Sequence, residues 1–241
     1  MTAADPRLEA LLLVQEQDTV LDQLRHRRAT LPVRAELAVH EHELIRREGD
    51  VVRLQARRDE ILVEERRFDD EAQSIATKAK EVDAKLYSGT VASPRELQAM
   101  QADLEMLRRR QRELEDRELE QMEARDSVER DLTAAEAALT ERTDTVAAAR
   151  AQLATHEAEI DAELEREAAT RIEHATGIPP AMVADYEQRR ANNRGFGIAR
   201  LVGDTCQACH LSIPATEVER IRRTGGDPVA SCDNCGAILV P

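Results

Sequence analysis

The sequence predicts a mainly α-helical fold, in which a long antiparallel coiled-coil hairpin precedes a small domain of short β-strands and one helix. Apolar residues recur at heptad spacing over most of the chain, and one turn-rich segment divides them into two seams. All four cysteines lie in two C-x-x-C pairs near the C-terminus, a spacing typical of a zinc ribbon. We therefore predict a hairpin over residues 1–175, a short helix and linker over 176–195, and a C4 zinc ribbon over 196–241.

Composition favours long helices over a large globule. Charged residues make up 34% of the 241 positions, whereas the aromatic residues are only two Phe and two Tyr, too few for a large globular core. The formal net charge of -14 disfavours a protein that coats nucleic acid. The opening segment lacks a basic n-region and a cleavage site, and no apolar run is long enough to span a membrane, so we expect a cytoplasmic protein without membrane contact.

The first helix is predicted from about Pro6 to Ala29, where leucines recur at helical spacing. Pro32 then interrupts the pattern, because proline lacks the backbone donor that a helix interior needs. We expect a kink or short break near residues 30–33.

Two heptad seams follow this break, and their length without internal caps predicts a coiled coil. The first seam consists of Leu37, Leu44, Val51, Leu54, Ile61, Phe68, Ala72, Ile75, Ala79, Val82 and Leu86. The second consists of Leu97, Met100, Leu104, Leu107, Leu114, Val128, Leu132, Ala135, Leu139, Val146, Leu153 and Ile160.

A turn near residues 88–93 joins the seams. Gly89 suits the left-handed end of a helix, and the sequence Ser93-Pro94 followed by Glu96 is a helix start signal. Antiparallel pairing across this turn is expected to place Ala72 beside Leu107. The same register brings the basic run at residues 108–110 near the acidic run at 69–71, as flanking charge pairs of a coiled coil.

Basic residues gather beside the predicted turn. The only three lysines of the chain, Lys78, Lys80 and Lys85, lie here together with Arg95. One interpretation is that lysines near the C-terminal end of the helix before the turn interact favourably with the dipole of that helix. The other is that they form a basic tip that contacts a protein partner.

The segment after the hairpin changes character. A short helix is predicted over AMVADYEQRR, after which Asn and Gly residues end the helical pattern. The stretches IARLVGD, HLSI and AILV are predicted as short strands, and PATEVERIRR as a small helix.

Cys206, Cys209, Cys232 and Cys235 are the predicted ligands of one structural zinc ion. Four thiolates fill a tetrahedral site and leave no position for a catalytic water. About 45 residues with few large apolar side chains do not bury enough surface to fold alone, and zinc would supply the missing stability. Gly236 suits the sharp turn after the last cysteine.

Two other chemistries remain open for these cysteines. A redox-active C-x-x-C pair is disfavoured because neither pair lies at a strand-to-helix junction, whereas iron is compatible with four sulfur ligands. His210 adjoins Cys209, and we expect it to face solvent rather than bind the ion. The sequence contains no nucleophile-elbow motif, no phosphate-binding glycine loop and no His-carboxylate metal motif, so we expect no enzymatic activity and no small-molecule substrate.

The order of these motifs resembles a family of bacterial coiled-coil hairpin proteins with a C-terminal C4-type zinc ribbon. The resemblance is carried by Leu31-Pro32, SPREL at the turn, GFGIARLVGDTCQACH and CDNCGAILV, and it spans nearly the whole chain. Some members of that family regulate flagellar or type III secretion systems. The resemblance implies protein partners, including an alternative sigma factor, and RNA in some members. Members of the family often have a basic residue at the position of Ala237. The resemblance therefore gives less support for a nucleic-acid contact at this position in the present sequence.

Two functions are consistent with this sequence. The first is a non-enzymatic adaptor that presents interaction surfaces at the hairpin tip and the ribbon. The second is an RNA- or DNA-binding protein that acts through the ribbon. Its candidate phosphate contacts are Arg194, Arg200, Arg220, Arg222 and Arg223. Neighbouring acidic residues roughly cancel these charges, and we therefore favour the adaptor.

Overall fold

A computed structural model describes residues 5–224 and 229–241 of the protein. The helices are α1 (Pro6–Ala29), α2 (Pro32–Leu86), α3 (Pro94–Ala175), α4 (Pro180–Asn192) and α5 (Ala215–Thr224). The strands are β1 (Ile198–Val202), β2 (Thr205–Cys206), β3 (Ala230–Ser231) and β4 (Ile238–Val240). This order confirms the mainly α fold with a helical hairpin before a small β-containing region. None of the helices in the described part of the chain contains an apolar segment of the length that a membrane span requires.

The chain divides into two compact units. The hairpin unit contains Glu36–Arg150, and the terminal unit contains both ends of the chain, Met1–Ala35 and Ala151–Pro241. Each unit is stabilised differently and is described separately below.

The hairpin unit consists of α2 and α3 packed antiparallel along the predicted seams. Every seam residue in this unit is buried or half-buried, whereas most intervening positions are exposed. Phe68, Ala72 and Leu114 form its central apolar cluster, with Ile75 packed against them. Charge pairs flank the seam, including Arg125 with Glu65 at 2.9 Å and Arg150 with Glu41 at 2.6 Å.

The expected register of the hairpin is wrong by about one heptad. Ala72 packs with Leu114 and not beside Leu107, and Arg108 donates to Asp83 at 3.0 Å instead of approaching Glu71. Arg110 pairs with Glu113 on its own helix, at 3.3 Å. A shift by one heptad again places apolar positions opposite apolar positions, so the repeat itself does not distinguish the two registers.

In the terminal unit, α1 begins and ends at clear local signals. The Asp5 side chain caps the helix by accepting the Arg7 backbone N–H at 2.8 Å, and the hydrogen bonds from Arg7 lower the pKa of this carboxyl. The helix ends before Thr30 and Leu31, and α2 starts at Pro32. Helix α1 then packs antiparallel to the end of α3, where Arg28 donates to Asp161 at 2.7 Å.

The ribbon forms a four-stranded sheet of order β2-β1-β4-β3. Strands β1 and β4 are parallel, with Ile198 opposite Ile238, and the two short outer strands are antiparallel to their neighbours. Successive side chains of a strand point to opposite faces. One face packs through Ile198, Ile238 and Val240 on α1 and α4, and the other packs through Leu201 and Leu239 with α5.

One strand prediction is wrong. The HLSI stretch forms only an isolated bridge, between Thr205 and Ser212, and the strand that pairs with β1 is Thr205–Cys206 instead. The residues after Cys209 are used by the turn around the first cysteine pair, which the hydropathy of HLSI does not reveal.

Candidate metal centre

The four cysteines lie together at one end of the ribbon sheet. Cys206 ends β2, Cys209 follows it by three residues, and Cys232 and Cys235 lie between β3 and β4. Their sulfur atoms all lie within 4.8 Å of one another. Cys206 and Cys232 are buried, and Cys209 and Cys235 are half-buried.

The sulfur geometry fits one tetrahedral zinc ion. Four sulfurs each about 2.3 Å from a central zinc are about 3.8 Å apart. Here the Cys206 and Cys235 sulfurs are separated by 3.9 Å, and the Cys209 and Cys232 sulfurs by 3.8 Å. The four thiolates therefore bind one zinc ion in a closed, structural site. His210 is exposed and does not belong to this cluster.

The two C-x-x-C turns have the same backbone geometry. His210 N–H donates to the Cys206 carbonyl at 2.8 Å, and Gly236 N–H donates to the Cys232 carbonyl at 2.7 Å. Both residues after the second cysteine have positive φ, 58° at His210 and 77° at Gly236. Gly236 adopts this left-handed conformation without cost, whereas His210 bears a side chain there.

Burial raises the pKa of the Cys235 thiol to about 12 and also raises the pKa of Cys206. At Cys209, burial is outweighed by hydrogen bonds from the Leu211 backbone and the other cysteines, which lower its pKa. Zinc must therefore replace thiol protons when it binds, and zinc affinity falls as the pH is lowered.

A small apolar core packs against the metal-binding cysteines. Cys206 and Cys232 belong to one buried cluster with Leu201, Val218 and Ile221, so α5 covers the same face of the sheet as the metal site. Arg222 of α5 also donates to the Gly203 carbonyl in the turn after β1, at 2.7 Å. The metal and this core stabilise the ribbon together.

The opposite face of the ribbon docks on the helices of the terminal unit. Leu8, Leu11 and Tyr186 are fully buried against this face of the sheet. Gly197 permits the close approach, because a Cβ atom there would lie 2.5 Å from the Tyr186 backbone oxygen. Arg189 of α4 reaches the second cysteine turn and donates to the Gly236 carbonyl at 2.6 Å.

Two buried polar residues of α1 fix this docking. The Gln15 side chain donates to the Gly195 carbonyl at 2.9 Å and accepts the Gly197 backbone N–H at 2.8 Å. Asp18 is only 4% exposed, and it accepts hydrogen bonds from Tyr186 and Arg171, both at 2.7 Å. We call Gln15, Asp18, Arg171 and Tyr186 the polar clasp.

Sequence reasoning did not identify the polar clasp. The available signal was the presence of Gln15 and Asp18 on the face of α1 that also carries Leu8, Leu11 and Leu21. A buried polar residue on such a face requires a hydrogen-bond partner. The partners lie more than 150 residues away, which periodicity within one helix does not indicate.

The arginines considered for nucleic-acid contact are mostly engaged within the protein. Arg200 forms a two-bond pair with Glu9 at 3.0 and 2.6 Å, and this pairing raises the pKa of the guanidinium. Arg220 pairs with Glu217, and Arg222 donates to the Gly203 carbonyl. Arg194 and Arg223 are exposed and form no ion pair among the described residues.

The basic residues beside the turn remain open to solvent. Lys78, Lys80, Lys85 and Arg95 are all exposed, and in the part of the chain that the structure describes none of them forms an ion pair. Tyr87 lies among them with 78% of its surface exposed, which the sequence analysis did not single out. We call these five residues the tip surface.

Comparisons with known proteins agree with both parts of this fold. Residues 14–194 match the CT398-like coiled coil hairpin domain, and residues 205–239 match the C4-type zinc ribbon domain. The uncharacterised protein Rv2229c of Mycobacterium tuberculosis is 30% identical over 240 residues, covering 100% of this chain and 97% of its own length.

Solved structures show the same fold. A protein from Mycobacterium smegmatis superposes with a TM-score of 0.86 at 25% identity, with both chains fully covered. CT398 from Chlamydia trachomatis superposes with a TM-score of 0.75 at 16% sequence identity, and the match covers 98% of this chain and 97% of that one. The HP0958 protein from Helicobacter pylori superposes with a TM-score of 0.52 at 13% sequence identity, and the match covers 99% of this chain and 98% of that one.

Proposed function

Because this chain belongs to the family of CT398-like coiled-coil hairpin proteins with a C4-type zinc ribbon, we propose that it is a non-enzymatic adaptor that binds protein partners. In this proposal the tip surface and the zinc ribbon each present an interaction surface. The protein would act in the cytoplasm, where reducing conditions keep four cysteines available to zinc. The regulation of flagella or secretion that the resemblance implies is not carried into this proposal.

The tip surface is the observation that carries the proposal. It combines four exposed cations with an exposed tyrosine, in a protein whose formal net charge is -14. Tyrosine and arginine are enriched among the residues that dominate binding energy at protein interfaces. Exposed Glu81 and Glu96 lie in the same segment, and Asp83 pairs with Arg108. Four cations less two carboxylates leave an excess of two positive charges, which attracts a partner with an acidic surface and accelerates its association.

The closed metal site supports a binding role for the ribbon. Four sulfur ligands leave no open coordination position, so the zinc ion holds a surface in shape instead of activating water.

A charge-reversal experiment tests the tip surface. Replacing Lys78, Lys80 and Lys85 with Glu is expected to reduce the capture of tip-bound partners by at least about tenfold, which corresponds to about 1.4 kcal/mol. The matched control replaces the exposed Arg109, Arg112 and Arg117 of α3 with Glu, since it changes the net charge equally. Quantitative mass spectrometry of nuclease-treated captures compares the two variants, and circular dichroism verifies their helix content. Equal partner sets from both variants would contradict a tip site.

Nucleic-acid binding through the ribbon is the weaker candidate. Arg194 and Arg223 are available for phosphate contacts, whereas Arg200, Arg220 and Arg222 are held by acceptors within the protein. If the ribbon does bind RNA or DNA, its affinity must fall steeply between low and physiological salt. An affinity that is independent of salt would remove this candidate.

A further inference from the structure

A groove in the terminal unit lies between α1 and strand β1 of the ribbon. It has a volume of about 490 Å³, which lies within the usual range of binding pockets. Its apolar lining comes from Leu12 on the helix and from Phe196, Ile198, Ala199 and Val202 on the ribbon side. We call it the ribbon groove.

The apolar lining of the ribbon groove is partly exposed to solvent. Phe196 is 36% exposed and Val202 is 58% exposed. The chain has four aromatic residues, of which Tyr186 and Phe68 are buried, while Tyr87 and Phe196 are not. One exposed aromatic residue thus belongs to the tip surface and the other to the ribbon groove. Exposed aromatic residues beside a concave apolar surface are typical anchors for a partner side chain.

The charges at the rim of the ribbon groove favour a basic partner. Glu16 of α1 and Arg200 of β1 are the charged residues that line the groove, and Arg200 pairs with Glu9 of α1. Arg200 is hydrogen-bonded to Glu9, and Glu16 forms no ion pair among the described residues. Because the pair with Glu9 neutralises Arg200, Glu16 is the unpaired charge among the described residues that line the groove, and it repels phosphate groups and attracts lysine or arginine.

We infer that the ribbon groove binds a protein segment that inserts a bulky apolar side chain and places a lysine or arginine beside it, against Glu16. This inference rests on the proposed adaptor function and names the partner chemistry of its ribbon surface. An apolar anchor with a charged neighbour uses both parts of the site, because the anchor fills the groove while the charge sets the orientation.

Synthetic peptides test the inference without a known partner. Three peptides of about twelve residues are compared: leucine flanked by arginines, leucine flanked by glutamates, and alanine flanked by arginines. Each is titrated into the zinc-loaded full chain, and amide shifts are followed by nuclear magnetic resonance. The first peptide is expected to shift resonances of Phe196, Ala199 and Val202, and the other two are expected to bind at least fivefold more weakly.

Substitutions at exposed positions locate the binding. Val202→Glu should weaken binding of the leucine-arginine peptide at least fivefold, whereas Leu211→Glu should not, since Leu211 is 53% exposed but does not line the groove. Glu16→Arg should reverse the preference from arginine flanks to glutamate flanks. The inference is overturned if no peptide shifts the groove resonances, or if Val202→Glu and Leu211→Glu bind the leucine-arginine peptide equally well. It is also overturned if an oligonucleotide shifts the groove resonances and the peptides do not.

The outcome can be separated from that of the tip experiment. Peptide binding at the ribbon groove uses none of the tip residues, so a negative titration leaves the capture result at Lys78, Lys80 and Lys85 unaffected. Conversely, a failed capture experiment does not alter the peptide shifts.

Discussion

The hairpin unit and the terminal unit show two different ways of specifying a structure. In the hairpin unit, buried and half-buried seam positions recur at heptad spacing along both helices, and Phe68, Ala72 and Leu114 form one cluster of this repeating seam. In the terminal unit each contact occurs once, such as the approach of Gly197 to Tyr186 or the hydrogen bonds of Asp18. The heptad repeat determines which helix faces pack together but allows more than one register. The specific contacts of the terminal unit are compatible with one arrangement of its helices and strands.

Loss of the metal should produce the largest difference between the units. Replacing Cys206 and Cys232 with Ser is expected to abolish zinc binding and to unfold the ribbon, since structural zinc contributes roughly 10–16 kcal/mol in small zinc domains. The hairpin helices contain no zinc ligand and should keep their helical circular dichroism. Elemental analysis measures the zinc, and amide spectra report on the ribbon. Native ribbon resonances in a zinc-free variant would show that the apolar core suffices.

The polar clasp should be the next most sensitive feature. Asp18→Ala leaves Arg171 and the Tyr186 hydroxyl without their buried partner, and we expect the free energy of unfolding of the terminal unit to fall by about 3 kcal/mol. Asp161→Ala is the matched control, because it removes an Asp–Arg pair between the same two helices that is far more exposed than Asp18, and it should cost no more than about 1 kcal/mol. Hydrogen exchange of α1 amides gives both values. Equal effects would mean that Asp18 has no special role.

Two glycine substitutions should have opposite effects in the two units. Gly197→Ala forces a Cβ atom against Tyr186 and should destabilise the terminal unit by about 2 kcal/mol. Gly49→Ala lies in the middle of α2, where an added Cβ atom has nothing within 4 Å, and should stabilise the hairpin unit by about 0.5–1 kcal/mol. Thermal unfolding of each variant measures the change. A destabilising Gly49→Ala would contradict the open environment of that residue.

The smallest expected effect tests the hairpin register. Arg125 and Glu65 form an interhelical pair at 2.9 Å, and reversing either charge alone should destabilise the hairpin by about 0.5–1 kcal/mol. The double variant Glu65→Arg with Arg125→Glu should recover most of that loss, which a double-mutant cycle measures. In the register expected from sequence, Arg125 instead faces Leu54, and the cycle would show no coupling.

Much of this fold was accessible from the sequence because its signals are local. The heptad positions predicted the buried seams, and four cysteines in two C-x-x-C pairs predicted one zinc ion. The register was not accessible, because pairing Ala72 with Leu107 or with Leu114 satisfies the same repeat. HLSI was mistaken for a strand because hydropathy does not show that its first residues complete the turn around Cys209.

Of the two candidate binding surfaces, the tip surface could be predicted from the sequence and the ribbon groove could not. The lysines of the tip are visible as a cluster in the sequence, since they are neighbours along one helix. The ribbon groove is not, because Leu12 and Glu16 lie near Phe196 and Val202 only after the two ends of the chain have met.

The docking of β1 and β4 on α1 has a practical consequence for protein engineering. The zinc ribbon is continuous in sequence, yet one face of its sheet is completed by leucines from the opposite end of the chain. A fragment excised at residue 196 would expose Ile198, Ile238 and Val240 to water and should be prone to aggregation. Starting the fragment at residue 178, so that α4 is kept, and joining residues 5–29 to it through a flexible linker would restore the missing layer.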